Sequence, residues 1–154
     1  MLSEHDRQTI TDEFEHFPTK RAACVDALKI AQRSHGWVDD ATLKEIAEIL
    51  EMTPDELDGI ATCYNLIFRR PVGQHVILLC DSVSCWIMGC NQIRDDLKSR
   101  LGIEFGQTTT DGRFTLLPIV CLGMCDHAPA MMIDDESYGD VTSEILGSIL
   151  ETKQ

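Results

Sequence analysis

Two pairs of cysteines, each set behind a short apolar run, constrain this chain more than any other feature. Val76 to Leu79 is a continuous apolar run of strand length that ends in Cys80, and Cys85 follows with four residues between them. Further on, the run within Arg113 to Val120 ends in Cys121, and Cys125 follows with three residues between them. A run apolar at every position is the pattern of a strand buried on both faces. The four thiols therefore stand in two loops, each just after a buried strand, and the rest of the chain has to scaffold them.

Before His75 the periodicity is helical. Ser3 caps a helix running to about Phe17, with Glu4 and Asp6 in its first turn, where negative charge suits the helix dipole, and Pro18 ends it. A second helix over about Thr19 to Ser34 sets Cys24, Val25, Leu28 and Ala31 on one face, which makes Cys24 a small core residue, and Gly36 stops it. A third follows an Asp39 or Asp40 cap, with Leu43, Ile46, Ala47 and Leu50 as its stripe. The fourth has the strongest start signal: Thr53 as cap, Pro54 at the first helical position, Glu56 three residues after the cap, and Met52 placed to staple onto Leu57. It presents Leu57, Ile60, Ala61 and Tyr64 inward, with Cys63 beside them as a buried or half-buried thiol. Arg69 to Gly73 is a boundary.

After the first thiol loop, a helix from about Trp86 carries Ile87, Cys90, Ile93, Leu97 and Leu101 inward, so Cys90 also reads as core. A hairpin turning at Asp111-Gly112, a strand at Ala130 to Ile133, a polar turn through Asp140 and a helix capped near Thr142 complete the order. The fold class is α+β: a small N-terminal helical bundle over residues 1–72, then a thioredoxin-like α/β domain over 73–154.

Composition narrows the function. With 13 Lys plus Arg against 26 Asp plus Glu, the chain has a net charge of -13, which repels phosphate backbones and excludes nucleic acid as a partner. No apolar run reaches the roughly 18 residues a membrane helix needs, so no direct membrane insertion is expected. The opening residues lack a signal-peptide pattern, which places the chain in the cytoplasm. There, seven cysteines point to metal or redox chemistry rather than a disulfide framework.

Four thiols from two loops can hold a zinc ion, an iron–sulfur cluster or two disulfides. Zinc knuckles usually leave two to four residues between ligands, so these gaps are tolerable but off the commonest pattern. A 2Fe–2S cluster needs two ligands for each iron, and a two-by-two supply from paired loops matches that demand. The plant-type pattern would need a cysteine where Met88 stands. A Rieske reading starting at Cys125 and His127 has no second pair, so His127 reads as a surface residue or a neighbour of the ligands. Dithiol catalysis normally uses Cys-x-x-Cys, which is absent. Gly123 permits a left-handed turn, and amides around it are placed to donate to sulfur. Trp86 reads equally as a shield for the site or a core aromatic.

At Asp111, Phe114, Thr115, Cys121-Leu122-Gly123-x-Cys125 and Ala128-Pro129, the chain closely resembles the thioredoxin-like 2Fe-2S subunit of the NADH dehydrogenase module of respiratory complex I, the bacterial NuoE type. The likeness extends to Cys80-Asp81-Ser82-Val83-Ser84-Cys85, His35-Gly36-Trp37-Val38 and Ala61-Thr62-Cys63-Tyr64. Cys63 departs from the family, which more often has an aromatic there.

The resemblance implies one 2Fe–2S cluster ligated by Cys80, Cys85, Cys121 and Cys125, with no catalytic residue or substrate site on this chain. It implies an electron-transfer subunit of NADH:quinone oxidoreductase whose helical part docks on the flavin- and NADH-binding subunit (NuoF type). FMN and NADH would lie on that partner, and the whole on the peripheral arm of a membrane-bound complex. The equivalent subunit of a soluble NAD-linked hydrogenase or formate dehydrogenase, and a zinc-stapled interaction module, are the alternatives. Asp81 and Asp126, each directly after a ligand, are expected to disfavour an added electron.

Overall fold

The computed structural model describes residues 1–153; residue 154, the last of the expected second domain, lies outside them. The chain divides into two compact units, Met1–Pro71 and Val72–Gln154.

The first unit is helical. Helix α1 (Glu4–Glu13) starts at Ser3, whose hydroxyl accepts from the Asp6 amide while the Asp6 carboxylate accepts from the Ser3 amide. Asp6 is buried and also accepts from the Ser34 hydroxyl at 2.6 Å. These bonds, outweighing a burial that acts the other way, hold its carboxyl below the usual range. The helix is shorter than expected: after Glu13 the chain tightens into a 3-10 turn at Phe14–His16. Another 3-10 turn, Lys20–Ala23, precedes α2 (Cys24–His35), which closes on left-handed Gly36. Helix α3 (Asp40–Ile49) takes Asp39 as its cap, and α4 (Pro54–Cys63) takes Thr53 with Glu56 completing the capping box. Ile10, Leu28, Ile46, Leu50 and Leu57 meet as fully buried side chains in one core.

Past α4 the segment to Pro71 is tied down by Arg69. Its guanidinium donates to Asp58 and Asp40, each at 2.7 Å, and to the Val38 carbonyl. Two expectations fail here. Cys63 and Tyr64 are exposed, Tyr64 at 50%, because α4 ends at Cys63 and Tyr64 is already extended, so the helical stripe no longer applies to it.

The capping box is directly testable. Donation from the Thr53 amide, then from Arg21 and the Thr53 hydroxyl, brings the Glu56 carboxyl from its ordinary 4.5 down to about 2. Because the folded value is depressed, this contribution to stability is present above pH 4.5 and fades as the pH falls toward 2. Thr53→Ala removes the cap and lowers unfolding stability by about 1 kcal/mol in urea titration.

The second unit is built on a five-stranded sheet in the order β2-β3-β1-β4-β5. The strands are β1 (His75–Cys80), β2 (Gln107–Thr108), β3 (Phe114–Ile119), β4 (Met131–Ile133) and β5 (Glu136–Tyr138). β1 and β3 are parallel and in register from His75 opposite Phe114 to Cys80 opposite Ile119; the other pairs are antiparallel. Pro118 fits within β3 because the ladder with β2 ends at Leu116, so the missing amide falls where no partner strand runs. The polar turn expected after Ile133 contains the short strand β5. Helices α5 (Val83–Ile87), α6 (Cys90–Leu101) and α7 (Ser143–Thr152) complete the unit, the last capped by Thr142. Ile77 and Leu79 of β1, Leu116 of β3, Met131 and Ile133 of β4, Leu97 of α6 and Leu146 of α7 share its core.

The helix expected from about Trp86 is two helices. α5 begins three residues earlier, and the chain breaks at Met88 and left-handed Gly89, φ 97°, before α6 starts. Ile87, expected inward, is 69% exposed, and Trp86 is 60% exposed, so it is not a core aromatic. The alternation that buries Cys90, Ile93 and Leu97 starts only after the break.

Candidate metal centre

Because β1 and β3 run parallel and in register, their carboxyl ends open side by side, and both cysteine loops leave from that edge. Cys80 is the last residue of β1; its amide donates to the Ala130 carbonyl of the neighbouring segment at 3.1 Å. Its thiol points toward the Val120 carbonyl, 3.8 Å away and one residue before Cys121. Cys85 lies on α5. Both are 2% exposed, whereas Cys121 and Cys125 are exposed. The structure thus buries Cys80 and Cys85 and sets the 121–125 loop beside Cys80. Among the described residues no three His, Cys, Asp or Glu side chains converge as ligands on a single ion.

A backbone amide is aimed at sulfur in the second loop. Gly123, at φ 75°, takes the left-handed turn that only glycine adopts freely and donates its N–H to Cys121 Sγ at 3.3 Å. The turn and the amide donor are one device. Burial pushes the Cys85 thiol up to about 11, the Ala130 amide opposes this, and neighbouring Cys80 adds to it. At neutral pH this thiol keeps its proton, which a metal ion binding there would have to displace.

The second loop is clamped behind its ligand positions. Cys125–His127 form a 3-10 turn, the Asp140 amide donates to the His127 carbonyl at 2.7 Å, and His127 Nδ1 meets Asp140 at 2.8 Å. That bond, and then nearby Asp126, raise the His127 pKa. His127 is an exposed residue neighbouring the ligand positions, as expected. The Ala128–Pro129 peptide that follows is cis.

The donor set fits a 2Fe–2S group: four thiols arrive as two pairs from adjacent strand ends, and the Gly123 amide donates to Cys121 Sγ. Exposure makes the loops separable experimentally. Without metal, iodoacetamide labels Cys63, Cys121 and Cys125 rapidly and leaves the four buried thiols slow; once the cluster is loaded, only Cys63 remains fast. Equal labelling of all seven would show that the first loop is not packed as described.

The sequence alone sets these four cysteines in two pairs, each behind an apolar run. It does not show the Asp140 clamp on His127, because no local pattern reveals a partner 13 positions along the chain.

The family described as thioredoxin-like [2Fe-2S] ferredoxin matches residues 10–154. The E-type NADH-quinone oxidoreductase subunit of Pseudomonas aeruginosa is 48% identical over 151 residues, covering 98% of this chain and 91% of that protein. Its namesake from Escherichia coli K12 is 47% identical over 150 residues, covering 97% and 90%. In structure, a chain of an NAD+-reducing [NiFe]-hydrogenase in the air-oxidized state aligns at TM-score 0.73 and 24% identity over 85% of this chain, which spans 22% of that longer one. This last likeness speaks to the fold. With the match over nearly its whole length, the chain belongs to the thioredoxin-like [2Fe-2S] ferredoxin family.

Proposed function

We propose that this chain is the electron-transfer subunit of an NADH:quinone oxidoreductase, holding one 2Fe–2S cluster through Cys80, Cys85, Cys121 and Cys125. The observation that carries the reading is the paired supply of thiols from the ends of two parallel strands in register, with the Gly123 amide donating to the sulfur of Cys121. When bound, the cluster takes up and passes on one electron at a time. The residues set how readily it does so. The Gly123 amide directs its positive dipole end at sulfur and favours added negative charge. The carboxylates of Asp81 and Asp126 oppose it, but both are exposed, and water weakens their influence. Asp126→Asn accordingly raises the reduction potential only slightly, whereas an unchanged or lower value in a redox titration would remove Asp126 from the account.

The electron partner in this reading is the FMN of the NADH-binding subunit (NuoF type). Val83, Trp86, Ile87 and Met88 around Cys85, and Val120 before Cys121, are 60–71% exposed, which suits an apolar partner face close to the cluster. On the helical unit, exposed Tyr64 and Leu66 supply a second apolar face. The complex would stand on the cytoplasmic side of a membrane through other subunits; among the described residues no helix is long and apolar enough to cross one. Relatives at 47–48% identity are quinone oxidoreductase subunits, which favours this reading over the equivalent subunit of a soluble hydrogenase.

The test is anaerobic co-purification with the flavin- and NADH-binding subunit of the same organism, followed by NADH and then dithionite with EPR detection. A 2Fe–2S signal on a chain that stays bound to its flavin-carrying partner is expected. Zinc in place of iron, or a chain that never associates, overturns the reading.

A further inference from the structure

The second unit holds a cavity of about 350 Å³ where the last turn of α6, the start of β3 and α7 meet. The cysteine loops leave from the other end of β3, after Ile119, so the cavity is separate from the candidate centre. Arg100 lines it from α6 and Arg113 from the start of β3, and these are the cations of the unit that carboxylates satisfy least. Arg94, Lys98 and Lys153 pair with Asp95, Glu104 and Glu136 at 3.3, 2.7 and 3.1 Å. Arg113 stands 4.0 Å from Asp111, and Arg100 makes no ion pair among the described residues. Backbone holds both instead. Arg100 donates to the Ser143 carbonyl at 3.1 Å, and Arg113 to the Lys153 carbonyl at 3.5 Å, its guanidinium 5.0 Å from the centre of the Phe114 ring. Gly147 of α7 makes room for the first, since a Cβ there would lie 3.1 Å from an Arg100 terminal nitrogen. Leu101 and Leu150 supply apolar wall.

We propose that this cavity binds a phosphate group, free or carried on a small molecule, with Arg100 and Arg113 as its donors. Each guanidinium is a planar fork with five N–H donors, and one contact to a carbonyl leaves most of them for an oxyanion. The volume is at the small end for ligand sites, which suits a compact anion rather than a dinucleotide. Three things act against an anion here: the net charge of -13, Glu151 on the cavity wall, and the carboxyl end of α6. One guanidinium therefore does not suffice, and a doubly charged phosphate gains more from the pair than a carboxylate does. Bound there, the ligand ties α6, β3 and α7 together and stabilises the second unit by mass action. The proposal is independent of the cluster assignment.

The experiment titrates inorganic phosphate and adenosine monophosphate into the full-length protein by calorimetry. Ionic strength is held constant with sodium chloride, because screening alone alters exposed charges. Wild type, Arg100→Gln, Arg113→Gln, the double variant and Arg94→Gln are compared, with circular dichroism for folding. Saturable phosphate binding by the wild type is expected, weakened roughly tenfold in each single cavity variant and lost in the double. Arg94→Gln, whose cation lies outside the cavity, keeps the wild-type affinity. Tighter binding of adenosine monophosphate than of inorganic phosphate upholds the site as one for a phosphate ester. Equal or weaker binding upholds it as a site for the free ion. No saturable binding of either by the wild type overturns the proposal, as does equal affinity in the wild type and the double variant, or an equal loss in Arg94→Gln. Should the double variant not fold, Arg100→Gln is read alone, since that side chain is exposed, and undiminished affinity there also overturns the proposal.

Discussion

Replacing Cys121 or Cys125 with alanine removes the 2Fe–2S cluster. After anaerobic reconstitution, iron and sulfide fall to background and the S = 1/2 EPR signal of the reduced protein disappears, while circular dichroism stays that of the parent chain. The effect is all-or-none because each iron needs two thiolates and the second loop offers no substitute. Folding is spared because both side chains are exposed and contribute nothing to the core of Ile77, Leu116 and Met131. Cys24 makes the contrast: it is buried in the helical core, and Cys24→Ala costs a little stability with no loss of iron. A Cys121→Ala chain that kept its full complement of iron would end the assignment of that residue.

Gly139→Ala damages the same site from a distance. A Cβ at Gly139 would lie 2.5 Å from His127 Cβ, 3.0 Å from the His127 carbonyl oxygen and 3.1 Å from the end of Met124. The methionine can move, but the backbone and Cβ of His127 cannot without displacing the turn that carries Cys125. Overpacking of this kind costs about 1–3 kcal/mol, here concentrated on a ligand loop. The expected result is a lower melting temperature and cluster release to a chelator accelerated by tenfold or more, followed as loss of visible absorbance. Gly147→Ala is the control: its Cβ would meet only the tip of the Arg100 guanidinium, at 3.1 Å, which swings aside. Equal cluster lifetimes in the two variants would show that the contact between Gly139 and His127 does not govern the loop.

Much of this architecture is legible in the residues alone. Caps at Ser3, Asp39, Thr53 and Thr142 are local chemistry, since a side-chain oxygen meets an amide two or three residues on, and each helix starts where its cap predicts. The change from helical periodicity to an unbroken apolar run located β1, and the Asp-Gly turn located the hairpin of β2 and β3. Failures came where an apolar residue is not a buried one. Ile87 looks like the start of a core stripe and Trp86 reads equally as a core aromatic, yet both sit on a short helix, separated from α6 by the break at Gly89, and are exposed. Cys63 and Tyr64 fail at a helix end, where the period that placed them stops applying. Within the candidate site, the spacing of the cysteines is local and therefore readable, while the Asp140 clamp and the burial of Cys80 and Cys85 are made by tertiary packing.

The in-register pairing of β1 with β3 has a consequence for how sequence length can vary around the site. Successive residues of a strand face opposite sides of the sheet, so deleting one residue between Phe114 and Ile119 would turn every following side chain over and present Cys121 to the wrong face. The segments between the cysteines are constrained as well: residues 83 and 84 already belong to α5, where one residue more or less would rotate Cys85 by about 100°, and the 122–124 segment holds the left-handed turn at Gly123. Natural variation in length should therefore be purged from the strands and from these segments alike, and a transplanted version of this centre would have to copy the strand phase before it copied the loops.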